Sequence, residues 1–271
     1  MRQSRTAWGN SAWSLHAKEA AMAGGAEPGP EALDWQGRPL RCQDCPHEDL
    51  QAEGRCDLGR ACVLDRRGKR IDRFFSRNPD LAAAYLDHPY FEVRALAAKH
   101  ASVFLIGRLR DDPEPEVRAM VAFQLPLARA GSMREDPDRR VRMAVAQRLS
   151  GRDLVPLLGD ADYAVRLAAA RRAPPAALLL LARDPEAEVR RAAAARVVPE
   201  ALMAFAADPD PLVRRAAAGR LPAPRLVALI RDPDMRVRHA VAERIDPRHL
   251  APLLADEVPA IRETASRRLA E

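Results

Sequence analysis

From residue 88 onward the apolar positions return with a fixed stride of 24 residues. Valine followed by arginine stands at Val93, Val117, Val141, Val165, Val189, Val213 and Val237, and Ile261-Arg262 closes the series. Three further columns keep the same stride with no insertion. They are aspartates (Asp112, Asp136, Asp160, Asp184, Asp208, Asp232, Asp256), alanines (Ala98 through Ala242) and leucines (Leu154, Leu178, Leu202, Leu226, Leu250). Several columns agreeing at one period mark a repeat architecture. Within a unit, Asp-Pro predicts a helix start, with Asp capping free backbone N–H groups and Pro in the first helical position. A helix of about a dozen residues follows, as over Pro137 to Leu149, with Val141, Val145 and Leu149 on one stripe. A second apolar segment, such as Leu154, Leu157 and Leu158, holds little more than about two turns and predicts a short or 3₁₀ helix. No segment sustains period-2 alternation, so no sheet is expected.

One such unit cannot bury its stripe alone; stacking against neighbours does so and produces a solenoid. The small alanine column lets adjacent helices approach closely. The last unit, Asp256 to Glu271, contains only the first helix, and Pro79 to Leu86 reads as the second half of an incomplete leading unit. Phe74 and Phe75 are expected to seal the first layer. The predicted organisation is an extension over 1–34, a four-cysteine domain over 35–66, and a basic junction with the incomplete leading repeat over 67–87. Eight repeats over 88–271 follow, the last truncated.

Composition agrees with thin, closely packed helices: 48% of the 271 residues are apolar, yet only 4% are aromatic. No run approaches the roughly 18 apolar residues of a membrane span. Residues 1–18 lack the apolar stretch of a signal peptide, so a cytoplasmic chain is expected. Ala23 to Pro30 reads as a linker. Trp8 and Trp13 are either anchors for a partner or part of a plain extension.

The net charge is +6, and only three cations are lysines. Residues 87–271 carry 31 basic and 26 acidic side chains, a modest excess over a long segment. The arginine column from Arg94 to Arg262 is either a cationic ladder along a groove or a set of structural pairs with Asp caps and carbonyls. Its place beside the buried valines favours pairing. A second column, Arg148, Arg172, Arg196, Arg220, Arg244 and Arg268, sits near helix C-termini, where a cation suits the dipole. Being nearer the edge of the stripe, it is the better candidate for polyanion contact. Arg66, Arg67, Lys69 and Arg70 form either a phosphate-contacting patch or a solvated junction.

All four cysteines fall in one short segment, Cys42-x2-Cys45-x10-Cys56-x5-Cys62. Cys-x2-Cys suits a single metal centre, because a tight turn aims both thiolates inward. The second pair is wider than a usual zinc pair, and the spacing matches neither common ferredoxin pattern. Spacing alone leaves zinc and iron–sulfur open. His47 is read as a solvated loop histidine. There is no phosphate loop, nucleophile motif or His-Glu zinc motif, so no enzyme is expected.

A four-cysteine segment followed by units reading Asp-Pro-x-x-x-Val-Arg-x-x-x-Ala-x-Arg-Leu resembles the iron–sulfur proteins with leucine-rich repeat variant (LRV) units, over about residues 35–271. The resemblance implies an all-α, right-handed superhelix of alternating α- and 3₁₀-helices. It also implies a small N-terminal domain whose Cys42, Cys45, Cys56 and Cys62 ligate a [4Fe-4S] cluster. Similar proteins are encoded in bacterial nitrogen-fixation settings. The first repeat departs from the pattern, with His88 in place of Asp, and so does the fourth, where Asp160-Ala161 lacks proline. The expected function is cluster binding, with the solenoid as scaffold for a macromolecular partner, first of all a protein. The alternative is a zinc-stabilised, arginine-rich module that binds nucleic acid.

Overall fold

The computed structural model describes residues 32–271; Trp8, Trp13, the linker and most of the 1–34 extension lie outside the described residues. Among the described residues the regular elements are all helical, beside two isolated bridges, Leu33 with Pro39 and Asp57 with Ala61. Helix α1 spans Asp49–Ala52, α2 spans Gly68–Arg77, and α3, spanning Phe91–His100, opens the array. Between α2 and α3 lies a 3₁₀ helix, Pro79–Tyr85, where the half unit is expected. Beyond α3 the α-helices Pro115–Gln124, Arg139–Arg148, Tyr163–Ala170, Ala187–Ala194, Pro211–Ala218 and Met235–Ala242 follow at the repeat stride. Between them run 3₁₀ segments such as Ile106–Asp111, Gly151–Gly159, Pro175–Leu181 and Ala223–Leu229. Two connections also contain a single α-turn, Leu127–Ala130 and Met203–Ala206. Helix Pro259–Ala270 stands in the last unit. The valine, alanine and leucine columns are all buried, most of them completely, and form one continuous core.

The structure revises the start of each helix. Asp136 does not cap the helix that follows it. Its Oδ1 accepts the amide of Asp138 at 2.9 Å, closing a turn around Pro137. The helix begins at Arg139, and Asp138 is its cap, accepting from the Arg140 amide. Asp162, Asp210 and Asp234 cap their helices in the same way. Most of the repeat helices therefore run eight to ten residues. The departures from the pattern keep the geometry. Asp160 accepts the Asp162 amide at 2.8 Å although Ala161 replaces proline. His88 supplies Nδ1 to the Tyr90 amide at 3.1 Å where other units use a carboxylate.

Each column Asp has a second role. Arg94, Arg118, Arg142, Arg166, Arg190, Arg214 and Arg238 each grip the Asp 18 residues ahead, in the next unit, through Nε and Nη2. The same guanidinium turns Nη1 onto the carbonyl six residues behind, that of its own unit's Asp or, for Arg94, of His88. A column Asp thus accepts the arginine of the preceding layer on its carboxylate and that of its own layer on its carbonyl. The Arg166–Asp184 side chains are 10% and 3% exposed. Such pairs are charge-assisted, bidentate and largely removed from water. Structural pairing, favoured by the place of these arginines beside the valines, is what forms.

Two outcomes follow from this ladder. Asp208→Ala strands the Arg190 guanidinium without its carboxylate and opens the turn ahead of Asp210. Leaving one partner of a buried pair alone costs about 3 kcal/mol, measurable as a lower urea midpoint. Acid should act through Asp112 and Asp256. Burial alone would raise the Asp112 carboxyl, but bonds from Arg94 and the Glu114 amide outweigh it and hold it below 3.8. The Arg238 bonds likewise hold Asp256 low. Carboxyls depressed in the folded state contribute stability that is full above their unfolded value and lost as pH falls through the folded one. Helicity followed by circular dichroism should therefore hold near pH 5 and fall below pH 4, by about the Asp range.

Candidate metal centre

The cysteine segment folds by short turns. Cys42 opens a single 3₁₀ turn, Cys42–Asp44, and the Cys45 amide returns to the Cys42 carbonyl at 3.0 Å. This turn brings the first pair to one side. Helix α1 buries Leu50, whose carbonyl accepts the amides of both Arg55 (2.9 Å) and Cys56 (3.1 Å). That reversal runs through Gly54 at φ +70°, a conformation that favours glycine. Asp57 and Ala61 then pair across a turn containing Gly59 at φ +78°, which returns the chain to Cys62. The Cys62 amide is fixed to the Arg70 carbonyl on α2 at 3.2 Å.

All four thiols line one cavity, with Leu40, Arg41, His47, Leu58 and Leu64 among its other walls. Cys56 and Cys62 are buried; Cys42 and Cys45 are half-buried. Burial pushes the Cys42 and Cys45 thiols up, and the charges of the other cysteines push them further. Cys62 is raised because it donates to Cys56 in a buried setting, while Cys56, which accepts that proton, is lowered. Four thiolates in such a space repel one another unless a cation lies among them, so the donor set fits a positively charged inorganic core. Backbone amides of His47, Asp57 and Leu64 donate to Cys45, Cys56 and Cys62. Among the described residues no three His, Cys, Asp or Glu side chains gather closely enough to hold a single ion.

Behind this cavity lies an aromatic wall. His47 Nε2 lies 2.5 Å from Tyr85 Oη, and its ring packs 5.5 Å from that of Phe74. His47 is half-buried, and burial lowers its pKa. It is a cavity-wall residue, in contrast to the solvated loop histidine expected. Burial and the charges of Cys45, Cys62 and Cys56 push Tyr85 up to about 12. Nothing in the sequence marks Tyr85, because its partner lies 38 positions away. Phe74 and Phe75 are fully buried, as a first-layer seal requires.

Most of the run Arg66 to Arg73 lies in α2. Arg70 is buried and bonded to fully buried Asp65 at 2.5 Å, which removes it from the polyanion candidates. Arg66, Arg67 and Lys69 are exposed. Leu33 and Asp34 belong to the fold: the Arg66 amide donates to the Leu33 carbonyl at 2.9 Å, and Asp34 is buried. Trp35 stacks on Tyr90 with 5.9 Å between centroids. Glu92 of α3 accepts the Gly68 amide and the Tyr90 hydroxyl, the latter at 2.6 Å, and so caps α2 from the first repeat.

The second arginine column turns inward. Arg148, Arg196, Arg220 and Arg244 place Nη1 on the carbonyls of Ala122, Ala170, Ala194 and Ala218, at the end of the preceding layer's helix. Arg172 reaches the Leu149 carbonyl through Nε at 3.3 Å. Helix ends leave such carbonyls without partners of their own. These arginines satisfy them, so the structure does not present the column as a row of free cations.

Comparison with known proteins agrees with this architecture. A solved structure described as a leucine-rich repeat variant with a novel repetitive structural motif matches with TM-score 0.77 and 37% identity, over 84% of this chain and 98% of that one. The chain belongs to the LRV family. The LRV repeat model itself matches residues 163–186, and the model described as the FeS4 cluster of LRV proteins matches residues 32–84. The latter span contains all four cysteines and starts where the described fold starts. An uncharacterized 27.7 kDa protein in the nifB 3′ region of Rhodobacter capsulatus is 54% identical over 84 residues, 31% of this chain. The match spans only about a third (34%) of that relative's length. This LRV protein thus carries the family's iron–sulfur segment ahead of its repeats. Among the described residues no helix is long and apolar enough to cross a membrane.

The joint between the two parts makes a prediction. A methyl group at Gly68 would collide with the Glu92 carboxylate. Because the colliding group is the far end of a side chain that can swing aside, Gly68→Ala should lower stability only modestly, by about 1 kcal/mol or less, read as a fall in thermal midpoint. Adding Glu92→Ala should recover part of the loss, because it removes the colliding group.

Proposed function

We propose that this LRV protein binds one [4Fe-4S] cluster through Cys42, Cys45, Cys56 and Cys62, and that the repeat array carries the cluster domain to a macromolecular partner. The observation that carries the reading is the shared cavity: four thiols, brought together from three short stretches of chain, line one space. A cluster spans several ångströms and suits that arrangement better than mononuclear zinc. The family model's FeS4 description supports the same choice. When bound, such a cluster supplies one-electron redox chemistry. The chain's own contribution is to hold four sulfurs, to donate amides to three of them, and to close the rear with Phe74, His47 and Tyr85. The reading includes a cytoplasmic, non-catalytic protein working in a nitrogen-fixation setting. The neighbourhood named for the Rhodobacter capsulatus relative supports the setting. A nucleic-acid role for the array is the weaker reading, because the ladder arginines are paired with buried carboxylates, as Arg166 is with Asp184.

Metal analysis after strictly anaerobic purification tests the proposal. About four irons with matching sulfide per chain, and absorbance near roughly 400 nm, are expected. Cys56→Ser or Cys62→Ser should abolish the colour, whereas exposed Cys-free positions such as Arg183→Ser should not. A colourless protein with stoichiometric zinc would reject it.

A further inference from the structure

We propose that the outer face of α2 is a docking surface for an acidic protein. Residues 54–77 carry eight Lys and Arg against three Asp, a net +5 in a chain whose total is +6. The preceding residues 32–53 carry two Arg against five acidic side chains. Charge is thus concentrated in one short segment beside the cysteines. Two of its eight cations are neutralised in place, Arg70 by Asp65 and Arg55 by Glu53 and Asp80. Arg60 is 76% exposed and only 4.0 Å from its nearest carboxylate, that of Asp57. Arg66, Arg67, Lys69, Arg73 and Arg77 are exposed, and none has a carboxylate at ion-pair distance among the described residues. The contrast with the ladder is direct: there Arg94, Arg118, Arg142, Arg166, Arg190, Arg214 and Arg238 each have an aspartate.

Helix geometry gathers these charges. Lys69, Arg73 and Arg77 recur every four residues, within an arc of about 80° opposite Ile71, Phe74 and Phe75. They form a row roughly 12 Å long, about 6 Å per step, and Arg66 and Arg67 extend it beyond the helix start. Two members are held in place. Arg73 Nη1 donates to the Arg60 carbonyl at 3.0 Å, and Arg77 Nη1 to the Gly54 carbonyl at 3.4 Å. Those carbonyls stand two residues before Cys62 and Cys56. A guanidinium has five N–H donors, so each anchored arginine keeps donors for a partner. The face is therefore pre-ordered and lies against the loops that carry the buried cysteines.

Its size favours a protein. A nucleic acid gains affinity by neutralising many phosphates along a track. Beyond α2 many cations are committed to the ladder and to carbonyls or alternate with acids, as Arg140 does with Glu116 and Asp138, and exposed ones such as Arg183, Arg191 and Arg215 are spread along the array and not gathered in one row. The aromatic rings of α2 are fully buried and offer no stacking platform. A compact cluster of carboxylates matches a row of this length, and such complementarity steers encounter between proteins. The inference rests on the reading of this chain as a partner-binding scaffold. It does not depend on the identity of the metal.

Fluorescence anisotropy on the full chain, purified anaerobically, tests it with a labelled ten-residue polyglutamate peptide and a labelled single-stranded oligonucleotide. The peptide should bind in low salt and weaken roughly tenfold or more in K69E/R73E/R77E. It should be unaffected in R183E/R191E/R215E, which reverses three exposed array arginines. A second readout needs no variant. Carbodiimide couples a glutamate carboxyl to a lysine amine as an amide, the carbodiimide taking up the water lost as a urea. The chain has three lysines, and the cross-link should map to Lys69. Absent peptide binding, equal loss in both triple variants, or cross-links confined to Lys18 or Lys99 would overturn the proposal. So would tighter, α2-dependent binding of the oligonucleotide. Iron content, measured on the same samples, reports separately on the cluster.

Discussion

The array depends on a guanidinium that cannot be left alone. Each ladder arginine is mostly buried between layers, where an unpaired cation carries a large desolvation penalty. The aspartate ahead and the carbonyl behind relieve it together. Because one arginine joins two consecutive aspartates, the distance between layers and their relative rotation are set by the same pair of contacts. The apolar columns supply most of the burial, but valine and alanine faces could slide past one another. A bidentate ion pair has direction, and it converts a non-specific stack into one register. The second arginine column works on the opposite end of each helix, covering carbonyls that the helix cannot satisfy itself.

This internal use of charge changes what the basic composition means. Most arginines of the array are accounted for by carboxylates and carbonyls, which leaves little of the solenoid available to a polyanion. Exposed cations are gathered into one row on α2, the helix that also packs Phe74 against His47 of the cysteine cavity and supports Cys62 through the Arg70 carbonyl. The cysteine cavity and the row of exposed cations lie on two sides of one helix.

The repeat, its all-helical nature and the placing of the apolar columns were legible because an unbroken stride repeats the same evidence many times. The cysteines were legible as a group because they occur nowhere else. Finer assignments failed where two local structures share one sequence pattern. Asp-Pro reads as a cap and first turn, yet it forms a preceding turn, and the cap falls two residues later on Asp138 or Asp162. Arg70 is one cation in a basic run, and only the packing of Asp65 beneath α2 singles it out. His47 with Tyr85, and Glu92 with Gly68, are contacts between distant segments at single positions, with no periodicity to announce them. The seam between the domain and the array was invisible for that reason.

Since every layer boundary in the array is built from the same arginine, aspartate and carbonyl, no boundary is specialised for its position. Growth by whole units therefore requires no new kind of joint, and a tandem duplication within the gene yields a longer rod whose added seams are already solved. A single-residue insertion has the opposite effect: it shifts an arginine from its aspartate 18 positions ahead and spoils the seam at once. Length in such a molecule can drift in steps of 24 while the sequence within a step stays tightly constrained. The length of the rod is then a quantity that evolution can adjust by counting.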